Sequence, residues 1–110
     1  MEDSKNLSIE EGTITFWIKE NSIIFNDKKI TQLFDVNPAG GSIFMVKDDD
    51  NKLKVMFVVL GKGRVDIEHD VSEVNPSNRH MVAFTWSLKS NQLSLYLDGE
   101  LIESKEINLS

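Results

Sequence analysis

Three acidic residues at alternate positions are the first candidates for chemistry in this sequence. Asp66, Glu68 and Asp70 alternate with the apolar residues Val65 and Ile67. In a β-strand, residues two apart share a face and lie about 6.6 Å from one another. Paired carboxylates at a slightly shorter spacing, about 5–5.5 Å, carry out retaining glycoside hydrolysis. The pattern is compatible with catalysis or ligand binding, but it favours the simpler interpretation of a solvated strand face with the two apolar residues buried.

A second group of oxygen-bearing side chains could hold a metal ion. It consists of Asp48, Asp49, Asp50 and Asn51. Calcium takes six to eight oxygen ligands, so this run would need a further carboxylate from another loop, for which Asp27 and Asp98 are the candidates. Asp and Asn are also the ordinary residues of turns, and the sequence favours a turn. Calcium is therefore the one cofactor that the sequence suggests, without requiring it.

The aromatic and imidazole side chains offer few further sites. Trp17 is a candidate ligand-binding residue because a flat aromatic ring can stack on the apolar face of a sugar. Burial is the alternative for Trp17, and we expect Tyr96 to be buried. His69 and His80 lack the spacing of a zinc site or of a nucleophile–base pair.

The composition limits the classes of function. The 110 residues contain 40% hydrophobic residues, which is enough for one globular domain over residues 1–110. The net charge of −6 argues against nucleic-acid binding. No cysteine is present, and no apolar run is long enough to insert into a membrane. The acidic N-terminal stretch lacks the apolar segment of a signal peptide, which predicts either a cytoplasmic protein or a piece cut from a longer extracellular one.

Apolar and polar residues alternate along most of the chain, which predicts β-strands. In residues 13–19, for example, Ile14, Phe16 and Ile18 share one face, and Trp17 lies on the other face with the threonines. Asp98-Gly99 predicts a two-residue hairpin turn, because a type I′ turn requires positive φ at both positions. We expect about eight or nine short antiparallel strands. The predicted strands are residues 13–19, 22–25, 29–35, 42–47, 52–60 and 64–70, with three more within residues 80–102, and a short additional strand is suggested at residues 7–10.

The loop between two of these strands predicts how they pair. A three-residue loop at residues 61–63 would place Val59 opposite Val65 and Lys54 opposite Asp70. This register buries apolar residues together and pairs opposite charges on the other face. We expect residues 22–25 and 29–35 to form a separate hairpin around Asn26-Asp27.

Two blocks of sequence resemble a known family. Residues 12–19, GTITFWIK, and residues 80–102, HMVAFTWSLKSNQLSLYLDGELI, are similar to the laminin G-like and concanavalin A-like lectin/glucanase superfamily. The resemblance implies an all-β antiparallel sandwich of jelly-roll type, and the short chain implies that one or two of the usual strands are lacking. It also implies that Trp17 and Trp86 pack into the sandwich and that His80 has a structural role at the start of a strand. Glycosidases of this fold carry E-x-D-x-E on a strand, whereas this chain has D-x-E-x-D at residues 66–70.

The resemblance implies a non-catalytic recognition module that binds a carbohydrate or a protein surface. A structural or oligomerisation domain is the alternative, because a sandwich that lacks strands has open sheet edges and an exposed edge recruits partners such as a second copy of the chain. A small glycosidase that uses Asp66, Glu68 and Asp70 is the third hypothesis. It is disfavoured by the exchanged Asp and Glu and by the short chain.

Overall fold

Eight antiparallel strands form two four-stranded sheets in the computed structural model, which describes residues 8–23 and 25–107. Sheet A has the strand order β1-β6-β7-β8 and sheet B the order β2-β3-β4-β5. The predicted antiparallel β-sandwich is confirmed. Among the described residues, no helix is long and apolar enough to span a membrane. The strands are β1 (Glu11–Ile18), β2 (Thr31–Val36), β3 (Gly41–Lys47), β4 (Lys52–Val59), β5 (Gly63–Asp70), β6 (His80–Ser87), β7 (Gln92–Leu97) and β8 (Glu100–Glu106).

The core lies between the sheets and is filled by alternate residues of β1 to β7, with the partly buried Ile102 of β8 packed against it. At its centre the ring of Phe57 from sheet B meets Phe84 and Trp86 from sheet A, with centroids 6.4 and 6.5 Å from that of Phe57. Trp86 is only 2% exposed, and its indole N–H donates a hydrogen bond to the carbonyl of Ser8 at 2.9 Å. Gly12 lies opposite Trp86 on β1, where a Cβ atom would come within 2.5 Å of the indole ring. The glycine therefore makes room for the tryptophan.

The predicted Asp98-Gly99 hairpin is confirmed. Asp98 has φ of 53° and Gly99 of 84°, and the flanking residues Leu97 and Glu100 face one another. Tyr96 lies opposite Leu101, as expected from a two-residue turn.

The predicted register of β4 and β5 is wrong by two residues. Val59 lies opposite Gly63, and Lys54 lies opposite Glu68. The three-residue loop is 60–62 rather than 61–63, because the N–H of Lys62 closes the turn on the carbonyl of Val59 at 3.0 Å. A shift of two residues leaves every side chain on its predicted face, so the predicted core residues of this hairpin are still buried.

The predicted hairpin of residues 22–25 and 29–35 is also wrong. β2 begins at Thr31 and pairs with β3, and the described residues of 22–25 form no strand, with residue 24 outside the described part. The intervening loop instead docks onto the turn between β3 and β4. Its Asp27 binds the ammonium group of Lys47, and the N–H of Lys28 donates to Asn51 at 2.8 Å. The predicted strand at residues 7–10 is reduced to bridges at Ser8, with residue 7 outside the described part.

His80, at the start of β6, links that strand to the β7–β8 turn. The Nδ1 atom of His80 lies 2.7 Å from the carboxylate of Asp98, and its Nε2 atom lies 2.7 Å from the carbonyl of Asn75. Since both partners are acceptors, both ring nitrogens must carry a proton. Burial opposes this charge, but the two hydrogen bonds outweigh it and raise the pKa of His80 above 6.5. Burial likewise works against the charge of Asp98, whose pKa is nonetheless lowered by His80 and by the N–H of Met81. His80 therefore has the expected structural role, because it links the start of β6 to Asp98 in the β7–β8 turn and to Asn75 in the preceding loop.

The two tryptophans should respond oppositely to truncation. Trp86→Ala removes a ring at the centre of the core and should lower the free energy of unfolding by about 3–5 kcal/mol. Trp17→Ala should change it by no more than about 0.5 kcal/mol, because the Trp17 side chain is largely exposed on the outside of sheet A. Urea unfolding followed by circular dichroism measures both, and equal losses would contradict the assignment of Trp86 as the core tryptophan.

The His80–Asp98 pair should give stability a defined dependence on pH. The raised pKa of His80 stabilises the fold below pH 6.5, and this contribution is lost as the pH rises through the folded-state value. The lowered pKa of Asp98 stabilises the fold above pH 3.8, and this contribution is lost on acidification. Asp98→Asn should therefore reduce the fall in unfolding free energy between pH 6 and pH 8. Unfolding titrations of both proteins measure this difference, and an unchanged slope would show that His80 is not held in its charged form by Asp98.

Candidate functional site

The outer face of sheet A carries two adjoining surfaces, one apolar and one lined with hydroxyl groups. The first, the apolar zone, consists of Trp17, Met81, Tyr96 and Leu101. The second, the hydroxyl row, consists of Thr13, Thr85, Ser94 and Ser104, which face one another in turn across all four strands. We call the two surfaces together the sheet A platform. None of its eight side chains is charged.

Trp17 is the most prominent side chain of the platform. It lies on β1 between the buried position Ile18 and the half-buried Phe16, so it points away from the core and is 57% exposed. The prediction that the motif tryptophan at this position packs into the sandwich is therefore wrong. Tyr96, which we expected to be buried, is half-buried on this outer face.

A basic side chain holds the Trp17 ring. The guanidinium carbon of Arg79 lies 4.6 Å from the ring centroid, which is within the range of a cation–π interaction. Sequence reasoning missed Arg79. The available signal was that Arg79 directly precedes β6, whose first residues, His80 and Met81, lie opposite Ile18 and Trp17. A stacked cation restricts the ring and leaves an exposed guanidinium beside the platform.

A shallow depression lies at one end of the platform. This open depression of about 510 Å³ lies beside the hydroxyl row, with Thr13 and Thr85 in its lining. Glu11, Ser87 and Gln92 extend the lining with further hydrogen-bonding groups. The depression therefore offers hydroxyl, amide and carboxylate groups to a polar ligand.

The three alternate acidic residues lie on the opposite side of the molecule, on the outer face of sheet B. Val65 and Ile67 are buried between them, as the alternation predicted. Asp66 forms an ion pair with Arg64, whose Nη2 donates to Oδ2 at 3.0 Å, and lies 3.8 Å from Lys54. A basic neighbour of the same chain therefore neutralises this carboxylate.

The carboxylates of Glu68 and Asp70 also have partners within the chain. Glu68 lies 3.6 Å from Lys52. Asp70 accepts hydrogen bonds from the hydroxyl and the N–H of Ser72 at 2.6 and 2.8 Å, and these bonds lower the pKa of Asp70. A general acid for glycoside hydrolysis needs the opposite, a raised pKa. The arrangement gives no support to catalysis by this strand.

The acidic turn between β3 and β4 is explained by its own hydrogen bonds. Oδ1 of Asp48 accepts from the N–H groups of Asp50 and Lys52 at 2.9 and 3.0 Å, which closes the turn. Asn51 has φ of 59° and is nearly buried, with its side-chain oxygen bound to Lys28. Asp49 and Asp50 are exposed.

The two carboxylates that calcium would recruit have other partners. Asp27 binds Lys47, which is completely buried, and Asp98 binds His80. The hydrogen bond from Lys47 lowers the pKa of Asp27. Across residues 8–23 and 25–107, no group of three or more His, Asp or Glu side chains could hold a metal ion. Calcium binding at residues 48–51 stays a prediction.

The predicted site residues therefore do not form one site. Trp17 lies on the outside of sheet A, Asp66, Glu68 and Asp70 lie on the outside of sheet B, and residues 48–51 form the turn between β3 and β4. Of these three places, the surroundings of Trp17 are the one that combines an exposed aromatic ring with uncharged hydrogen-bonding groups.

Two solved structures share this architecture. They are the Ruminococcus gnavus IT-sialidase CBM40 bound to alpha2,3 sialyllactose, at 19% identity, and the Ruminococcus gnavus IT-sialidase CBM40, at 18% identity. Both have a TM-score of 0.65 and match 90% of this chain, which spans 54% of theirs. At these identities the likeness shows the fold alone. Comparison with curated proteins finds no match.

A family model describes the sequence over nearly its whole length and confirms the resemblance drawn from the two motif blocks. The model, described as the Concanavalin A-like lectin/glucanases superfamily, matches residues 2–109. The chain therefore belongs to the Concanavalin A-like lectin/glucanases superfamily.

Proposed function

We propose that this protein is a non-catalytic glycan-binding module and that the sheet A platform is its binding surface. The observation that carries the proposal is the exposed Trp17 beside the hydroxyl row. A sugar ring has an apolar face that stacks on an aromatic side chain and a rim of hydroxyls that need hydrogen-bonding partners. The platform supplies both kinds of contact on one face.

Stacking of a sugar on Trp17 is favoured because Arg79 restricts the movement of the Trp17 ring. Burying apolar surface contributes about 25 cal/mol per Å², and a side chain that is already ordered loses less entropy when it binds. Arg79 supplies this order to Trp17. Its guanidinium also offers five N–H donors, which suit sugar hydroxyls or a sugar carboxylate.

The hydroxyl row provides the polar contacts. Each hydroxyl can donate one hydrogen bond and accept two, so the row can adapt to either role of a sugar hydroxyl. Thr13 and Trp17 are four residues apart on β1, which corresponds to about 13 Å along the strand. A ligand of more than one sugar ring could therefore touch both parts of the platform.

The comparisons support a glycan as ligand and suggest the first probe. The superfamily is described by its lectins and glucanases, and a structural neighbour of this chain is bound to alpha2,3 sialyllactose. If a sialylated glycan is the ligand here, the guanidinium of Arg79 beside Trp17 is the cation that would face its carboxylate.

Truncation of Trp17 should abolish most of the binding. We expect Trp17→Ala to weaken glycan binding by at least tenfold, a loss of about 1.4 kcal/mol, because the stacking surface is removed. Glu68→Gln, on the opposite face of the sandwich, is the matched control and should bind like the unchanged protein. A glycan array that includes alpha2,3 sialyllactose, followed by calorimetry on the best ligand, measures both.

The array also separates the alternatives. Binding that survives in Glu68→Gln and is lost in Trp17→Ala supports the platform, whereas the reverse would place the site on sheet B. A chain that binds no glycan would contradict the proposed function and favour a protein partner. Repeating the array with calcium and with EDTA tests the predicted calcium dependence separately.

Removal of one hydroxyl should have a smaller effect. Thr85→Val keeps the shape of the side chain and removes one hydrogen-bonding group from the middle of the row. A neutral hydrogen bond contributes about 0.5–1.5 kcal/mol, so we expect affinity to fall about two- to tenfold. Ser42→Ala, on the outer face of sheet B, is the control, and calorimetry with the same glycan measures both. Unchanged affinity in Thr85→Val would remove the hydroxyl row from the binding surface.

A further inference from the structure

The open sheet edges on the two sides of the sandwich differ in the number of charged residues that they carry. On one side β5 and β8 carry four charged residues each, and they meet through the contact of His69 with Glu103 at 3.1 Å. On the other side β1 and β2 carry one charged residue each. Charged side chains protect an edge strand from pairing with another chain. The β1/β2 side lacks this protection.

Two of the four large apolar side chains that are exposed lie on this unprotected side, within the part of the chain that the structure describes. Trp17 is on β1, and Ile30, which is 68% exposed, directly precedes β2. The rings of Phe16 and Phe34, 5.6 Å apart, show that β1 and β2 border the same side.

The backbone of β1 is oriented for pairing. The N–H of Leu88 donates to the carbonyl of Glu10 at 2.7 Å and so continues the β1–β6 ladder. Even-numbered residues of β1 therefore direct their backbone groups towards β6, and the odd-numbered Thr13, Thr15 and Trp17 direct theirs outward. Among residues 8–23 and 25–107, no backbone hydrogen bond reaches these outward groups.

We propose that β1 pairs with β1 of a second copy of this chain, antiparallel and with the two-fold axis at Thr15. This register places Thr15 opposite Thr15 and Thr13 opposite Trp17 of the other copy, and it keeps outer faces together because opposite residues share a face. It also brings Lys19 of each copy towards Glu11 of the other, so the charges at the two ends are complementary. Ser8 already bridges to Glu11 and Ala39, so the backbone edge that can pair runs from Thr13 to Trp17, and Glu11 contributes only its side chain.

The pairing has a consequence beyond the proposed function. The two copies of sheet A become one eight-stranded sheet, and both platforms lie on the same continuous face. The dimer then presents two binding surfaces side by side, and linked sites bind a repeated ligand more tightly than either does alone. The pairing itself does not depend on what the platform binds.

The test is the mass of the protein without any glycan. Sedimentation velocity from low to high micromolar concentration should show a mass rising from one chain to two. Thr15→Lys places two ammonium groups opposite each other at the axis and should hold the mass at one chain. Ser104→Lys puts the same charge on the outer face of the β8 edge and should dimerise like the unchanged protein.

A second variant is needed because a misfolded Thr15→Lys protein would also fail to dimerise. Thr15→Pro removes an outward N–H, which belongs to no hydrogen bond within sheet A, so an edge strand should tolerate it. It should also be monomeric, with an unchanged circular dichroism spectrum. A protein that stays a single chain at every concentration, or a Ser104→Lys variant that loses the dimer as Thr15→Lys does, would overturn the proposal whatever the glycan array shows.

Discussion

The packing of three aromatic rings between the sheets is the constraint on which the rest of this structure depends. Phe57 from one sheet meets Phe84 and Trp86 from the other, and Trp86 also ties down the chain before β1 through Ser8. Because side chains alternate along a strand, fixing one inward residue fixes the face of every other residue in that strand. The absent side chain of Gly12 is part of the same constraint, since any larger residue would push β1 away from Trp86.

The two outer faces that result have different chemistry. The outer face of sheet B mixes acidic and basic residues that neutralise one another, such as Asp66 with Arg64 and Glu68 with Lys52. Charges already paired within the chain have less to gain from a ligand, because binding must first replace the existing partner. The sheet A platform has no such internal pairs between its side chains apart from the stacking of Arg79 on Trp17, so its hydroxyls remain open to a partner, as far as the described residues show.

The sequence predicted the sandwich because the signals for it are local. The Asp98-Gly99 turn and the alternation around it fix β6, β7 and β8 without any knowledge of distant residues. The register of β4 and β5 was missed because Leu60 prolongs the apolar run, and no sequence pattern marks the residue at which the strand ends. Trp17 shows a different failure, since its alternation with Ile14, Phe16 and Ile18 indicated the outer face, whereas the family motif indicated burial. Arg79 and the Asp27–Lys47 pair depend on how loops fold onto neighbouring strands, which periodicity does not describe.

Two structural requirements conflict at the outward residues of β1. The side chains of Thr13 and Trp17 belong to the platform, and the backbone groups of the same residues, with those of Thr15 between them, form the open edge. An edge strand is commonly protected by a charged side chain, but a lysine at Thr13 would place a charge in the hydroxyl row, and one at Thr15 would place it beside Trp17. An uncharged platform that reaches the edge of its sheet therefore leaves that edge unprotected. The proposed pairing with a second copy would resolve the conflict, because it would satisfy the backbone of β1 without altering the side chains of the platform.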